Sequence, residues 1–166
     1  MILPPRTVAS GRAAGVVIAA LAALLAPAGA EAQLPGPPQE CILLQTADAA
    51  AGDLFACALA AGNGTVAVGS VLDDDLGADS GSVYVFTRGG NGVWAQRAKI
   101  LAADGAAGDQ LGFAVGLDGG RIAAGAPFRN QVGLRSGAVY VFEGGGAAWT
   151  QTAKLVPAGL GARDEL

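Results

Sequence analysis

The chain has 166 residues, a formal net charge of −4, 52% hydrophobic and 14% charged residues, and 27 glycines. That composition is too apolar for a disordered acidic tail and too poor in charge for a coiled coil. The absence of histidine excludes Ser-His-Asp triads, Cys-His pairs and His-ligated zinc, and the acidic balance argues against a nucleic-acid partner.

Residues 1–32 read as a secretory signal peptide: Arg6 and Arg12 precede the apolar run 13–26, and Pro27 leads into the small residues Ala28, Gly29 and Ala30. The run is shorter than the roughly 20 residues that span a bilayer, so no stable membrane span is expected after cleavage. The expected location is secreted or cell envelope, extracellular or periplasmic. Residues 33–39 follow as a linker, because Pro35, Pro37 and Pro38 withhold backbone donors and fix φ. Cys41 and Cys57, the only two cysteines, are a disulfide candidate in an oxidising compartment, the other reading being two buried thiols.

Residues 40–166 are a repeat region. The string SGSVYVF at 80–86 recurs as SGAVYVF at 136–142, and in the same register 19 of the 46 positions from 45 to 90 are identical. After one deleted residue Trp94, Gln96, Ala98 and Lys99 fall on Trp149, Gln151, Ala153 and Lys154. Composition alone does not align Tyr, Phe, Trp, Gln and Lys in one order, so this is duplication. Unit one covers about 45–99 and unit two about 101–154, while 155–166 starts a truncated third unit. Residues 40–45 occupy the slot of the last strand of a preceding unit.

Turn signals divide unit two into strands near 112–117, 121–126, 137–143 and 150–156, and unit one repeats them about 56 residues earlier. Gly62-Asn63-Gly64 and Asp118-Gly119-Gly120 supply the positive φ that tight hairpins need. Four short strands per period give an all-β fold of antiparallel four-stranded blades.

At this point the residues resemble the FG-GAP repeat family, the bladed units of integrin alpha-chain propellers and of many exported bacterial proteins. Leu111-Gly112 stands where the family has Phe-Gly, and Gly125-Ala126-Pro127 is the Gly-Ala-Pro element. Unit one carries Phe55-Ala56 and Gly69-Ser70-Val71 there. The resemblance implies a β-propeller, of which this chain holds about two full blades. Two blades do not close a ring of the usual four to eight, so the propeller is incomplete.

Integrin-type repeats place a calcium loop in the hairpin between the first two strands. Here the hairpins at 61–65 and 117–121 are too short and too poor in oxygen ligands. Asp73, Asp74, Asp75 and Asp79 offer an acidic run elsewhere, but Arg129, Asn130, Gln131 and Arg135 replace them in unit two, and the run reads as a solvated loop. No metal, cofactor-binding or catalytic residue is therefore assigned, and no cofactor. The pairs Asp48/Asp53 and Asp104/Asp109 recur in both units, which points to loop geometry; Trp94 and Trp149 recur as packing residues. Asn63-Gly64-Thr65 reads as a turn rather than a glycosylation site, and the terminal Arg-Asp-Glu-Leu as repeat positions rather than a retention signal.

The expected function is non-enzymatic: an exported recognition or adhesion module that binds protein or carbohydrate through its blade loops. Two alternatives stand beside it, the non-catalytic propeller part of a larger secreted enzyme and a truncated fragment without independent function. Open blade edges offer a route to self-association.

Overall fold

The computed structural model describes residues 17–18, 43–44, 46–48, 50–130 and 135–156. The other residues of 1–32 and 33–39, read above as a leader and a linker, and Cys41 and residues 157–166 lie outside the described residues. The described elements are all strands: β1 (Val17–Ile18), β2 (Leu43–Leu44), β3 (Phe55–Gly62), β4 (Thr65–Ser70), β5 (Ser82–Arg88), β6 (Trp94–Ile100), β7 (Ala114–Asp118), β8 (Arg121–Ala126), β9 (Ala138–Gly145) and β10 (Ala148–Leu155). β1 and β2 pair with each other, and the others form two antiparallel sheets in the orders β3-β4-β5-β6 and β7-β8-β9-β10. Each sheet is one blade and one repeat unit. No helix among the described residues is long and apolar enough to cross a membrane.

Local chemistry sets this pattern. Val, Tyr and Phe at alternating positions suit a pleated surface, and glycine with asparagine reverses the chain between them. Gly62 pairs with Thr65, leaving a two-residue loop in which Asn63 and Gly64 have φ of 49° and 70°, the signature of a type I′ turn. Even the irregularities repeat. The register of β6 against β5 shifts between Ala98 and Gln96, and that of β10 against β9 between Ala153 and Gln151, the equivalent place.

Pairing register decides which side chains share a face. In blade one Val66 and Val68 lie opposite Phe86 and Tyr84, and these four form the leading face; Ala67 and Gly69 lie opposite Val85 and Val83 on the trailing face. In blade two the leading face is Ile122, Ala124, Tyr140 and Phe142. The larger core lies between the blades, where Ala67, Val83, Val85 and Ile100 of blade one meet that leading face, joined by Ala102, Leu111, Ala126 and Ala138. A second cluster covers the leading face of blade one with Leu44, Phe55, Ala56 and Trp94. β5 is consequently buried on both faces, whereas Val139 and Val141 of β9 are only half-buried.

Backbone contact closes the joint. A Cβ on Gly69 would overlap the carbonyl oxygen of Gly112, and Gly81 bridges Leu111 in parallel. The carbonyls of Ala78, Asp79 and Ser80 accept hydrogen bonds from the amides of Gly108, Gln110 and Leu111. The two glycines at 69 and 112 therefore do one job together, letting two backbones touch.

Candidate recognition site at the blade ends

One end of both blades gathers residues 46–48, 50–54 and 101–113, which precede the first strands, and residues 71–81, 127–130 and 135–137, which lie between the second and third strands. A repeated polar network supports this end. Tyr84 Oη donates to Asp48 Oδ1 at 3.0 Å, and Lys99 Nζ to Asp48 Oδ2 at 2.9 Å. In blade two Tyr140 Oη donates to Asp104 Oδ1 at 3.0 Å, and Lys154 Nζ to Asp104 Oδ2 at 2.6 Å. The amides of Ala47 and Ala103 donate to Gln96 Oε1 and Gln151 Oε1, both at 2.9 Å. Asp53 Oδ2 accepts from the Ala50 amide at 2.7 Å and Asp109 Oδ2 from the Ala106 amide at 2.8 Å, so the second aspartate of each pair shapes the loop, as expected from its recurrence.

The blades differ at one position of this network. In blade one Asp73 is buried, its Oδ2 lies 3.0 Å from Tyr84 Oη and shares that hydroxyl's one proton with Asp48, and Lys99 Nζ lies 2.7 Å from both Asp73 and Asp75. The acidic run is thus not a solvated loop throughout: the Lys99 ammonium group sits among three carboxylates, those of Asp48, Asp73 and Asp75. In blade two Arg129 replaces Asp73 and reaches Asp109 at 2.7 Å and Asp104 at 3.1 Å. Among the described residues no group of three or more Cys, Asp or Glu side chains is placed to share a metal ion.

The network perturbs its own ionisation. Burial opposes the charge on Lys99, but its hydrogen bonds to Asp73, Asp75 and Asp48 outweigh that and hold its pKa above the ordinary lysine value. Burial also opposes the charge of Asp48, and hydrogen bonds from Lys99 and Tyr84 bring its pKa below the carboxylate range nonetheless. Asp104 is lowered chiefly by its hydrogen bond from Lys154. Burial pushes both Tyr84 and Tyr140 well above the usual phenol range. At neutral pH Lys99, Asp48 and Asp104 are therefore charged and both phenols are neutral and able to donate, as a scaffold requires.

Above this scaffold the repeats stop matching. Blade one presents exposed Asp74, Asp75 and Asp79 with Leu76. Blade two presents Asn130 and Arg135, with Arg135 5.1 Å over the ring of Phe128 and Phe113 edge-on to Phe128 at 6.4 Å. Phe113 is 50% exposed. Its equivalents in unit one are Cys57, Leu72 and Asp79 for Phe113, Phe128 and Arg135, so this aromatic-cationic patch is not required by the repeat.

The remaining residues singled out in the sequence fall elsewhere. Trp94 and Trp149 pack against the two cores, as expected of repeated packing residues. Cys57 is exposed on β3, whereas Cys41 lies outside the described residues. Sequence reasoning did not single out Tyr84, Tyr140, Lys99 or Arg129 as partners of the aspartates. The signal was present for three of these: Tyr and Lys recur with Asp48 and Asp104 at matching offsets.

Two face-packed, four-stranded antiparallel sheets with glycine-mediated contact define a bladed β-repeat protein, and the described residues hold two blades that do not close a ring. Residues 40–86 and 94–142 match the FG-GAP repeat, and the chain belongs to that family. No curated protein matches it. FG-GAP repeats generally form β-propeller recognition or adhesion modules and are typically non-catalytic.

Proposed function

We propose that the protein is an exported recognition module that binds a protein or carbohydrate ligand through the blade-end segments 71–81, 127–130 and 135–137 together with Phe113. Export rests on the leader read in residues 1–32. The observation that carries the binding assignment is the divergence of these loops above a network that both blades keep. Where a scaffold repeats, exposed side chains that do not repeat are free to serve a ligand. Phe113, Phe128 and Arg135 combine a stacking surface with a cation, a pairing that suits sugar rings and protein surfaces alike.

The test is a glycan array and an immobilised peptide library probed with the wild-type protein and with Phe113→Ala and Arg135→Ala. Both side chains are exposed, so both variants should keep the wild-type circular dichroism spectrum. Binding present in the wild type and reduced tenfold or more in the variants, a change of about 1.4 kcal/mol, supports the assignment. Wild-type binding that both variants retain would place the ligand elsewhere.

A further inference from the structure

We propose that the trailing face of blade two is a docking surface for the leading end of a second copy of this chain. On that face lie Ala123, Gly125, Val139, Val141 and Leu155, the repeat equivalents of Ala67, Gly69, Val83, Val85 and Ile100. The latter five are buried in the joint between the blades, whereas the former are half-buried or exposed, with Leu155 at 53%. Among the described residues the same surface is thus used once inside the molecule and left bare once.

Both halves of a second joint already have the required backbone. On the trailing side Arg135 and Gly137 have φ of 55° and 71°, matching 56° and 78° at Asp79 and Gly81, whose segment receives blade two. On the leading side Gly52, Leu54 and Ala56 have φ of 112°, 47° and 74°, against 79°, 57° and 91° at Gly108, Gln110 and Gly112. The Asp53–Ala50 turn repeats the Asp109–Ala106 turn, and Leu54 is 58% exposed. Behind them, Val66, Val68, Tyr84 and Phe86 correspond to Ile122, Ala124, Tyr140 and Phe142, the face that fills the internal joint.

Two features make the joint between copies weaker than the internal one. Leu44 lies over the leading face of blade one and aligns with Ile100, as Leu155 does, so an incoming Leu155 replaces it like for like. Ala56 stands where Gly112 does, and a Cβ on Gly112 would come within 2.5 Å of the Ser82 carbonyl oxygen. Docking therefore needs β2 to yield and the Ala56 loop to shift. The contact is head to tail, so it closes only as a ring. Counting the two blades described in each copy, two, three or four copies give rings of four, six or eight blades, within the range propellers adopt.

Sedimentation velocity on the full chain tests this. The wild type should run as a discrete species of two to four copies that dissociates on dilution. Gly125→Val should be a folded monomer: a Cβ there meets nothing closer than Ala114 Cβ at 3.6 Å within the chain, yet it stands where Gly69 meets Gly112 in the internal joint. Leu155→Asp, at an exposed position, should give the same result should the valine disturb β8. Ala56→Gly should lower the dissociation constant several-fold. A folded wild-type monomer at every concentration would overturn the proposal, whether the face stays bare or residues 157–166 cover it. So would an assembly that survives both blocking variants, or one that Ala56→Gly leaves unchanged.

Discussion

Lys99 is the residue on which most of the blade-one network depends. Its side chain is 14% exposed and bridges Asp48, Asp73 and Asp75, and Asp73 is 3% exposed. Lys99→Met keeps the stem but leaves a buried carboxylate without its cation, which should cost about 3 kcal/mol in urea denaturation. Lys154→Met should cost less, because Arg129 stays beside Asp104. The same groups set a pH window. Asp48 and Asp104 have folded pKa values below the ordinary range, so their contribution is present above about pH 4 and is lost as pH falls through the folded values. Lys99 is raised, so its contribution is whole below about pH 10.4 and is lost as pH rises through its folded value. A urea midpoint measured from pH 3 to 11 should be flat in the centre, and in Lys99→Met the alkaline decline should be smaller.

At the scale of the element, the glycines separate into those that turn the chain and those that let sheets touch. Gly69→Ala drives a Cβ into the Gly112 carbonyl and should destabilise by about 1–3 kcal/mol. Gly116→Ala on β7 meets nothing within 4 Å and should be neutral or slightly stabilising, as measured by the same denaturation. The strands, the Asn63-Gly64 turn and the blade count were legible in the sequence, because alternation and positive-φ residues are local signals and the repeat states each of them twice. The role of Gly69 was legible only as a family position. Its physical cause is the backbone of Gly112, a residue of the other unit. Asp73 was misread for a related reason: three aspartates in a loop ordinarily face water, and Lys99, which draws one of them inward, lies on a strand beyond the intervening hairpin. Which face of each blade is buried follows from register against the other sheet, so the bare trailing face of blade two could not be seen before the blades were placed.

For the molecule as a whole, the position of the core decides how it unfolds. The larger cluster belongs to neither blade alone: Val83, Val85 and Ile100 come from one, Ile122, Tyr140 and Phe142 from the other. A four-stranded blade with one face in water buries little by itself, so each depends on its neighbour, the condition under which repeat units unfold together. The two tryptophans report on the two blades separately. Trp94 packs against the cluster on the leading face of blade one, and Trp149 against the cluster between the blades, its Nε1 donating to the Gly146 carbonyl at 3.1 Å. Trp149→Phe leaves Trp94 to follow blade one, and Trp94→Phe leaves Trp149 to follow blade two. Once each curve is corrected for the stability change of its own substitution, the fluorescence transition should coincide with the loss of circular dichroism in both variants, at one midpoint and one slope. A blade-two transition that came first, with blade one still folded, would mean that the shared cluster does not couple the blades and that blade one is held by Leu44, Phe55 and Trp94 on its leading face.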